Sequence, residues 1–148
     1  MSKSKSRRRA LSAAALMLAG FAPAGAQSPP QIKKKVMPGG AIRSGNFLFL
    51  SGIGGWYPER RPVPGDIRQQ TADALEIMKE TLAKAGSSLD LVLKVQVSLV
   101  DPETNWEPMN EVYNTYFPKD RPVRSYFGTT GFRRKGQLLQ IDCIAYVD

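Results

Sequence analysis

The amino-acid types in this chain restrict the chemistry that it can perform. Its 148 residues include no histidine and a single cysteine, Cys143. These counts exclude a Ser-His-Asp or Cys-His nucleophile, an imidazole acid–base and a His-rich metal site. They also exclude an internal disulfide and a zinc site built from cysteines. Any catalysis must therefore use arginine, lysine, carboxylates, tyrosine, hydroxyls, amides or the backbone.

Two polar residues near the C-terminus, Gln140 and Asp142, are candidates for such chemistry. The segment 137–147 has the alternation of a β-strand, and five apolar residues share one face, namely Leu139, Ile141, Cys143, Ala145 and Val147. Gln140 and Asp142 lie on the other face, where burial without partners would be costly. Covering that face with another subunit, and placing a site there, would reconcile the pattern. Cys143 is predicted to be a buried, unreactive thiol.

Two amphipathic helices and several strands must position these residues. Asp66 is predicted to cap a helix that stops at Gly86, with Gln69 completing a capping box. A second helix is predicted over 101–117 and is closed by Pro118. The predicted strands cover 47–50, 94–99, 123–130 and 137–147. The order β, β, α, β, α, β, β, which counts one further strand beside 47–50 before the first helix, predicts an α+β layer with two helices on one sheet.

The N-terminal segment 1–26 has the three regions of a secretory signal peptide. Five basic residues precede an apolar run over 10–21, and Ala24-Gly25-Ala26 forms a small-x-small cleavage pattern. The run is shorter than the roughly 20 apolar residues that span a bilayer, and the alternative is an N-terminal amphipathic helix. Residues 6–11 resemble a twin-arginine export signal. The mature protein is expected in the periplasm, cleaved after Ala26 and free of the membrane.

The formal net charge of +8 is concentrated at the N-terminus. The leader contributes five positive charges and Lys33–Lys35 contribute three, within a predicted flexible basic lead-in over 27–40. The predicted single domain, 41–148, is balanced, since Val36–Asp148 has 13 basic and 13 acidic residues. A nucleic-acid surface needs a basic stripe on the folded domain. Neither a nucleic-acid partner nor RNA cleavage is therefore predicted.

Five stretches in a fixed order resemble the Rid family of reactive intermediate deaminases, also called the YjgF family. They are Leu50-Ser51-Gly52, Asp66-Ile67 with Gln70, Val92–Asp101, Trp106–Asn110 with Tyr113 and Tyr116-Phe117, and Pro122–Ser125 followed by Gln140–Ala145. The resemblance covers about residues 45–147. It implies a mostly antiparallel, chorismate mutase-like sheet with two helices packed on one face. It also implies a homotrimeric barrel with a cleft at each subunit interface.

The resemblance further implies the residues of a site. In members that hydrolyse imines, the arginine of the Pro-x-Arg-Ser motif binds the substrate carboxylate, which points to Arg124. A guanidinium fork matches a carboxylate with two hydrogen bonds. Gln140 stands where enzymatic members usually carry a glutamate that positions or activates water. The substrate-binding residues implied in the cleft are Ser51, Gly52, Asn110, Tyr126 and Trp56. No metal or cofactor is implied.

Departures from the family pattern leave the activity open. An amide at Gln140 can orient water but cannot take its proton, so Asp142 is a candidate substitute. The spacing from Arg124 to Gln140 is one residue longer than in the family, and Met37–Gly40 replaces a Gly-Pro-Tyr element. The leading hypothesis is an enamine/imine deaminase that converts 2-imino acids to 2-keto acids and ammonia. The alternative is a non-enzymatic trimer of the same fold that binds a small carboxylate.

Overall fold

Six strands form one mixed sheet in a computed structural model that describes residues 33–148 except Trp56 and Arg61. The strands are β1 (Lys34–Val36), β2 (Ile42–Ser44), β3 (Phe47–Gly54), β4 (Val92–Val100), β5 (Val123–Thr129) and β6 (Leu139–Tyr146). The helices are α1 (Ile67–Lys84) and α2 (Pro102–Tyr116), with short 3-10 turns at Pro58–Arg60 and Leu89–Leu91. The predicted signal peptide, 1–26, lies outside the described residues.

The strand order across the sheet is β1-β2-β3-β6-β4-β5. All neighbouring strands are antiparallel except β4 and β5, which are parallel and joined by α2. A parallel pair needs a long crossover connection, and α2 supplies it. Helix α1 packs against β3 and β6, and α2 packs against β4 and α1. The predicted α+β class, with two helices on one face of a mostly antiparallel sheet, is confirmed.

The core lies between the helices and one face of the sheet. Alternate residues of β4 and β6 are buried there, and they are Val95, Val97, Leu99, Leu139, Ile141, Cys143 and Ala145. The helices cover them with Leu75, Met78, Leu82, Met109 and Tyr113. Each large aliphatic or aromatic side chain buried in this way contributes roughly 1.5–3 kcal/mol. The predicted division of the last strand into two faces is thereby confirmed.

The opposite face of the sheet, called here the open face, keeps large side chains partly exposed. Phe47, Phe49 and Phe127 are 46%, 44% and 55% exposed. The strand pairing places them on the same face as Gln140 and Asp142. Phe47 and Phe49 lie on β3 and Phe127 lies on β5, with polar residues of β6 and β4 between them, so this face mixes apolar and polar groups, as protein interfaces do.

Three local features differ from the sequence expectation. Residues 34–36, within the predicted flexible lead-in, form a strand that pairs with β2 around Gly39 and Gly40, whose positive φ angles of 85° and 86° make the turn. Three residues are too few to show a strand pattern. Strand β3 continues past Leu50 to Gly54. The cap at Asp66 is present, but the Gln69 amide donates to Asp73 and does not close a capping box.

No helix within the described part of the chain has the length and apolar character needed to cross a membrane.

The buried thiol of Cys143 gives a prediction about reactivity. Burial, with a smaller effect from Asp142, raises its pKa from 9.0 to about 12. The native thiol is therefore expected to resist iodoacetamide at pH 8, whereas the urea-unfolded protein should be alkylated fully, as measured by mass spectrometry. The raised pKa means that the folded protein favours the neutral thiol. The contribution of this thiol to the free energy of unfolding is fully present below pH 9 and is lost as the pH rises towards 12. Rapid alkylation of the folded protein would contradict the burial.

Candidate functional site

A β-bulge brings the Ser-Gly pair of β3 next to the polar residues of β6. Leu50 pairs with Cys143 and Ile53 pairs with Ile141, so Ser51 and Gly52 together stand opposite the single residue Asp142. A bulge of this kind re-aims side chains and is frequent beside active sites. Ser51 and Gly52 are exposed, and Asp142 is half-buried.

Gln140 packs directly on Gly52. A Cβ atom on Gly52 would collide with the Nε2, Cδ and Cγ atoms of Gln140, so a glycine is required for this approach. Gln140 pairs with Gly54 of β3 and with Ser98 of β4. A cavity of about 250 Å³ opens beside it, between β3 and the segment 132–137. The structure thus groups Ser51, Gly52, Gln140 and Asp142, and this group is called the open-face cluster.

The Gly52–Gln140 contact predicts a coupled pair of substitutions. Gly52→Ala should force the Gln140 side chain to rotate away and lower the free energy of unfolding by about 1–2 kcal/mol. In a Gln140→Ala background the obstruction is gone, so the same substitution should cost about 0.5 kcal/mol or less. Urea denaturation of the four proteins measures the coupling. Equal costs in the two backgrounds would show that the two side chains do not compete for space.

Asp142 has the electrostatic environment of a potential proton acceptor. Its partial burial raises the pKa of the carboxyl group above the ordinary value, while Lys94 acts in the opposite direction. A carboxylate with a raised pKa holds a transferred proton more readily than an ordinary surface aspartate does. Asp142 therefore has the charge that Gln140 lacks, on the same face and two residues further along the strand.

A second group of residues surrounds Arg124 on β5. Arg124 pairs with Val95, whose side chain is in the core, and it therefore points to the helix side of the sheet. Its Nη2 donates a hydrogen bond to Oδ1 of Asn110, 2.8 Å away. The guanidinium carbon lies 4.3 Å from the ring centroid of Tyr113 and 4.9 Å from that of Trp106. Cation–π contacts of this kind hold the guanidinium plane in place.

Tyr126 completes this second group, which is called the arginine cluster. Its ring centroid is 4.5 Å from that of Trp106, and the side chain is half exposed. The two rings face an open concavity that also borders Pro102, Glu103 and Glu107. Burial raises the pKa of Tyr113 to about 12, against the lowering effect of Arg124, so its hydroxyl remains neutral at physiological pH.

The charge of Arg124 has no acidic partner among the described residues. Within the described residues, no carboxylate forms an ion pair with the Arg124 guanidinium. Its Nη1 atom is buried and makes no hydrogen bond in the same set of residues. A partly buried guanidinium interacts more strongly with an incoming anion than a fully exposed one does, because less water screens the pair. Arg124 therefore has the properties of an anion-binding residue rather than of a surface salt bridge.

The two clusters lie on opposite faces of the sheet. Arg124 and Tyr126 pair with core residues of β4, whereas Gln140 pairs with Ser98 on the open face. The fold thus brings Arg124, Asn110 and Tyr126 together, and separately Ser51, Gly52 and Gln140, but it does not join the two groups within one chain. Trp56, predicted from the resemblance to bind substrate, lies outside the described residues.

Several residues of the clusters were not predicted as site residues. Trp106 and Tyr113 flank Arg124, and their spacing from Asn110, four and three residues, places all three on one face of α2. This helical spacing could have indicated that Trp106 and Tyr113 lie beside Asn110 in the site. Arg133 and Arg134 line the cavity beside Gln140, a proximity that spacing alone could not show. Within the described ranges, no three His, Cys, Asp or Glu side chains are grouped so as to hold a metal ion.

A buried amide fixes the loop that leads into the open-face cluster. Gln70 of α1 is fully buried and donates to the carbonyl oxygens of Gly65 and Gly136, at 3.0 and 2.8 Å. Its Oε1 accepts from the backbone N–H of Leu138, at 2.9 Å. Gln70 therefore joins the backbone at Gly65 to the loop that contains Gly136 and Leu138. Leu138 lies two residues before Gln140, so these bonds help to place Gln140.

Comparisons with known proteins agree with this architecture. A family model described as endoribonuclease L-PSP matches residues 38–147. A RutC family protein of Pyrococcus horikoshii is 41% identical over 107 residues, covering 72% of this chain and 83% of the relative. The 3-aminoacrylate deaminase RutC of Acinetobacter baylyi is 33% identical over 108 residues, covering 72% and 84%. A YjgF-family crystal structure from Mycobacterium tuberculosis matches with a TM-score of 0.64 at 32% identity, covering 72% and 84%.

The six-stranded sheet and its two helices place the protein in the α+β class represented by the YjgF-family structures. The extent of the sequence matches then defines the family: this chain belongs to the Rid (YjgF) family, which the endoribonuclease L-PSP model also describes.

Proposed function

We propose that this protein is a deaminase that hydrolyses 2-imino acids to 2-keto acids and ammonia, in clefts between the subunits of a homotrimer. The observation that carries the proposal is Arg124, a partly buried guanidinium whose Nη1 atom is buried and which has no carboxylate partner among the described residues. The deaminase activity named for the Acinetobacter baylyi relative supports the same reaction class. The half-exposed Tyr126 ring gives the substrate a planar wall beside Arg124.

The reaction needs few groups, and each has a candidate. Arg124 carries five N–H donors, of which one is used by Asn110, and it binds the substrate carboxylate. Gln140 orients a water molecule, whose oxygen forms a bond to the imine carbon. As that bond forms, the C=N double bond becomes single and one proton of the water passes through Asp142 to the nitrogen. The second proton then passes from the new hydroxyl to the nitrogen, the C–N bond breaks, the carbonyl forms, and ammonia leaves. Positioning and charge stabilisation of this kind supply large rate accelerations without a histidine.

An interface between copies explains how the two clusters can meet. They lie on opposite faces of one sheet, so Arg124 of one subunit must act on a substrate held by the open-face cluster of another. The exposed rings of Phe47, Phe49 and Phe127 are an apolar surface that such packing would cover. Strand β5 is an edge strand, with a free side available for that contact.

Mixed oligomers test the shared site. Arg124→Ala and Gln140→Ala proteins should each be nearly inactive on an imino acid generated by an amino-acid oxidase, as measured by ammonia release. When the two are unfolded together and refolded as a mixture, some clefts receive both native residues, and activity should rise above that of either variant alone. Activity no higher than the mean of the two variants would place the whole site within one chain.

The second candidate function is a carboxylate-binding trimer without turnover. Gln140 favours it, because an amide cannot accept a proton from water. This hypothesis predicts that a 2-keto acid raises the melting temperature while imino acids decay no faster than in buffer. Turnover that depends on Gln140 or Asp142 would exclude it. Since the balanced charge of 36–148 gives no basic stripe, RNA binding is not proposed in either case.

We also propose that the protein is exported to the periplasm. The support is the order of a basic segment, an apolar run and Ala24-Gly25-Ala26 in residues 1–26. The protein recovered from a periplasmic fraction should begin at Gln27. Replacing Arg7 and Arg8 by lysine should block export if the twin-arginine route is used and leave it intact if the general route is used. An uncleaved protein in the cytoplasmic fraction would contradict export by either route.

A further inference from the structure

The loop between β5 and β6, residues 130–138, carries a charge that the proposed reaction does not use. It contains Arg133, Arg134 and Lys135 in succession. The first two line the cavity of about 250 Å³ beside Gln140. The extra residue between Arg124 and Gln140 noted in the sequence falls in the stretch that includes this loop. The loop thus places two guanidinium groups next to the residue that is proposed to orient the water.

The walls of this cavity are Gly52, Gly54, Phe132, Arg133, Arg134, Gln137 and Gln140. A neighbouring hollow of about 300 Å³ shares Gly52, Gly54 and Arg134. Among the described residues, no acidic side chain lines either space. The two guanidinium groups beside Gln140 favour an anion there.

The loop is anchored at its C-terminal end. Gln70 donates to the carbonyl oxygen of Gly136 and accepts from the N–H of Leu138. The buried Gln137 donates through Nε2 to the carbonyl oxygen of Leu139, and its backbone N–H donates to that of Arg134. These bonds fix the backbone of the turn that begins at Arg134, and Arg133, which also lines the cavity, directly precedes it.

We infer that this loop selects substrates with a second anionic group at the end of the side chain, in addition to the carboxylate bound by Arg124. The inference rests on the proposed function, because it concerns the same cleft. With the imine carbon at Gln140, the side chain of a dicarboxylic imino acid extends into the positive cavity. There the guanidinium groups form charge-assisted hydrogen bonds with the distal anion.

Matched substrates test the selection. The imines of glutamate and glutamine differ only in the distal group, and kcat/KM should be at least about tenfold higher for the glutamate imine. Combining Arg133→Ala with Arg134→Ala should reduce this preference to near unity and leave the glutamine imine unaffected. Lys135→Ala, in the same loop but outside the cavity lining, is the matched control and should keep the preference. Equal losses for both imines would overturn the inference.

A binding measurement separates this inference from the reaction itself. By calorimetry, 2-oxoglutarate should bind at least about tenfold more tightly than its amide, and the double arginine variant should lose that difference. A 2-oxo acid ending in a phosphonate shows whether a distal phosphate-type group serves as well as a carboxylate. Preferential binding without any imine turnover would contradict the proposed deaminase function alone. Turnover of all imines at similar rates, with no binding preference, would contradict only the inferred preference for a distal anion.

Discussion

Replacing Arg124 by lysine should lower kcat/KM for imino-acid hydrolysis by about 30- to 1,000-fold, which corresponds to roughly 2–4 kcal/mol of lost transition-state stabilisation. A lysine keeps the positive charge but has no planar fork, and it cannot make the bond to Asn110 and a two-point contact with a carboxylate together. The loss of carboxylate binding should raise KM, because the carboxylate is bound in both the ground state and the transition state. Less exact placement of the bound imine should lower kcat as well.

The fold should tolerate this substitution. Arg124 makes no ion pair within the described chain, so its removal leaves no buried carboxylate without a partner. The free energy of unfolding should change by about 1 kcal/mol or less. Arg121→Lys is the matched control: Arg121 lies three residues away and donates to the carbonyl oxygen of Phe117. Full activity in Arg124→Lys, or an equal loss in Arg121→Lys, would remove Arg124 from the proposed mechanism.

The largest effect on stability is expected for Gln70→Leu. A leucine of similar volume removes three hydrogen bonds at once and leaves Gly65 O, Gly136 O and Leu138 N without their partner. A backbone group left unsatisfied when buried costs about 1–3 kcal/mol. These three bonds are only partly buried, so water reaches the freed groups and reduces the sum. The substitution should therefore lower the free energy of unfolding by ~3 kcal/mol and the melting temperature by ~10 °C.

Gln69→Leu is the control for Gln70. Gln69 is the preceding helix residue, is exposed, and uses its side-chain amide only within α1, on Asp73. Its replacement removes one hydrogen bond to the buried Asp73 and should lower the free energy of unfolding by about 1 kcal/mol, well below the effect of Gln70→Leu. Thermal denaturation followed by circular dichroism compares the two variants directly. If both lower the melting temperature equally, Gln70 does not act as a tie between the loops.

The regular parts of the fold were predictable because their hydrophobic periods are long and clean. Apolar residues at every second position from Leu139 to Val147 indicated which side of β6 is buried, and with it the positions of Gln140 and Asp142. The amphipathic period of α1 and the cap at Asp66 likewise fixed the helix start. Two amphipathic helices and a set of strands that together form one sheet then defined the α+β class.

The face on which Arg124 lies could not be predicted, for a physical reason. Strand β5 is at the edge of the sheet and has no alternation of burial: Val123 is 69% exposed, whereas the charged Arg124 turns towards the helices. Its pairing with β4 and the aromatic residues of α2 decide the orientation, and both are long-range contacts. The Ser51-Gly52 bulge and the role of Gln70 depend in the same way on residues that are distant in sequence.

Under the proposed mechanism, the placement of the two clusters on opposite faces of one sheet makes enzymatic activity depend on protein concentration. No motion of a folded chain joins Arg124 to Gln140 without breaking the hydrogen bonds of the sheet, so under the proposed mechanism a lone subunit cannot turn over. Specific activity should fall on dilution through the dissociation constant of the assembly and recover on reconcentration. Under this mechanism the protein is active only at concentrations at which its subunits assemble, so its activity depends on its own abundance.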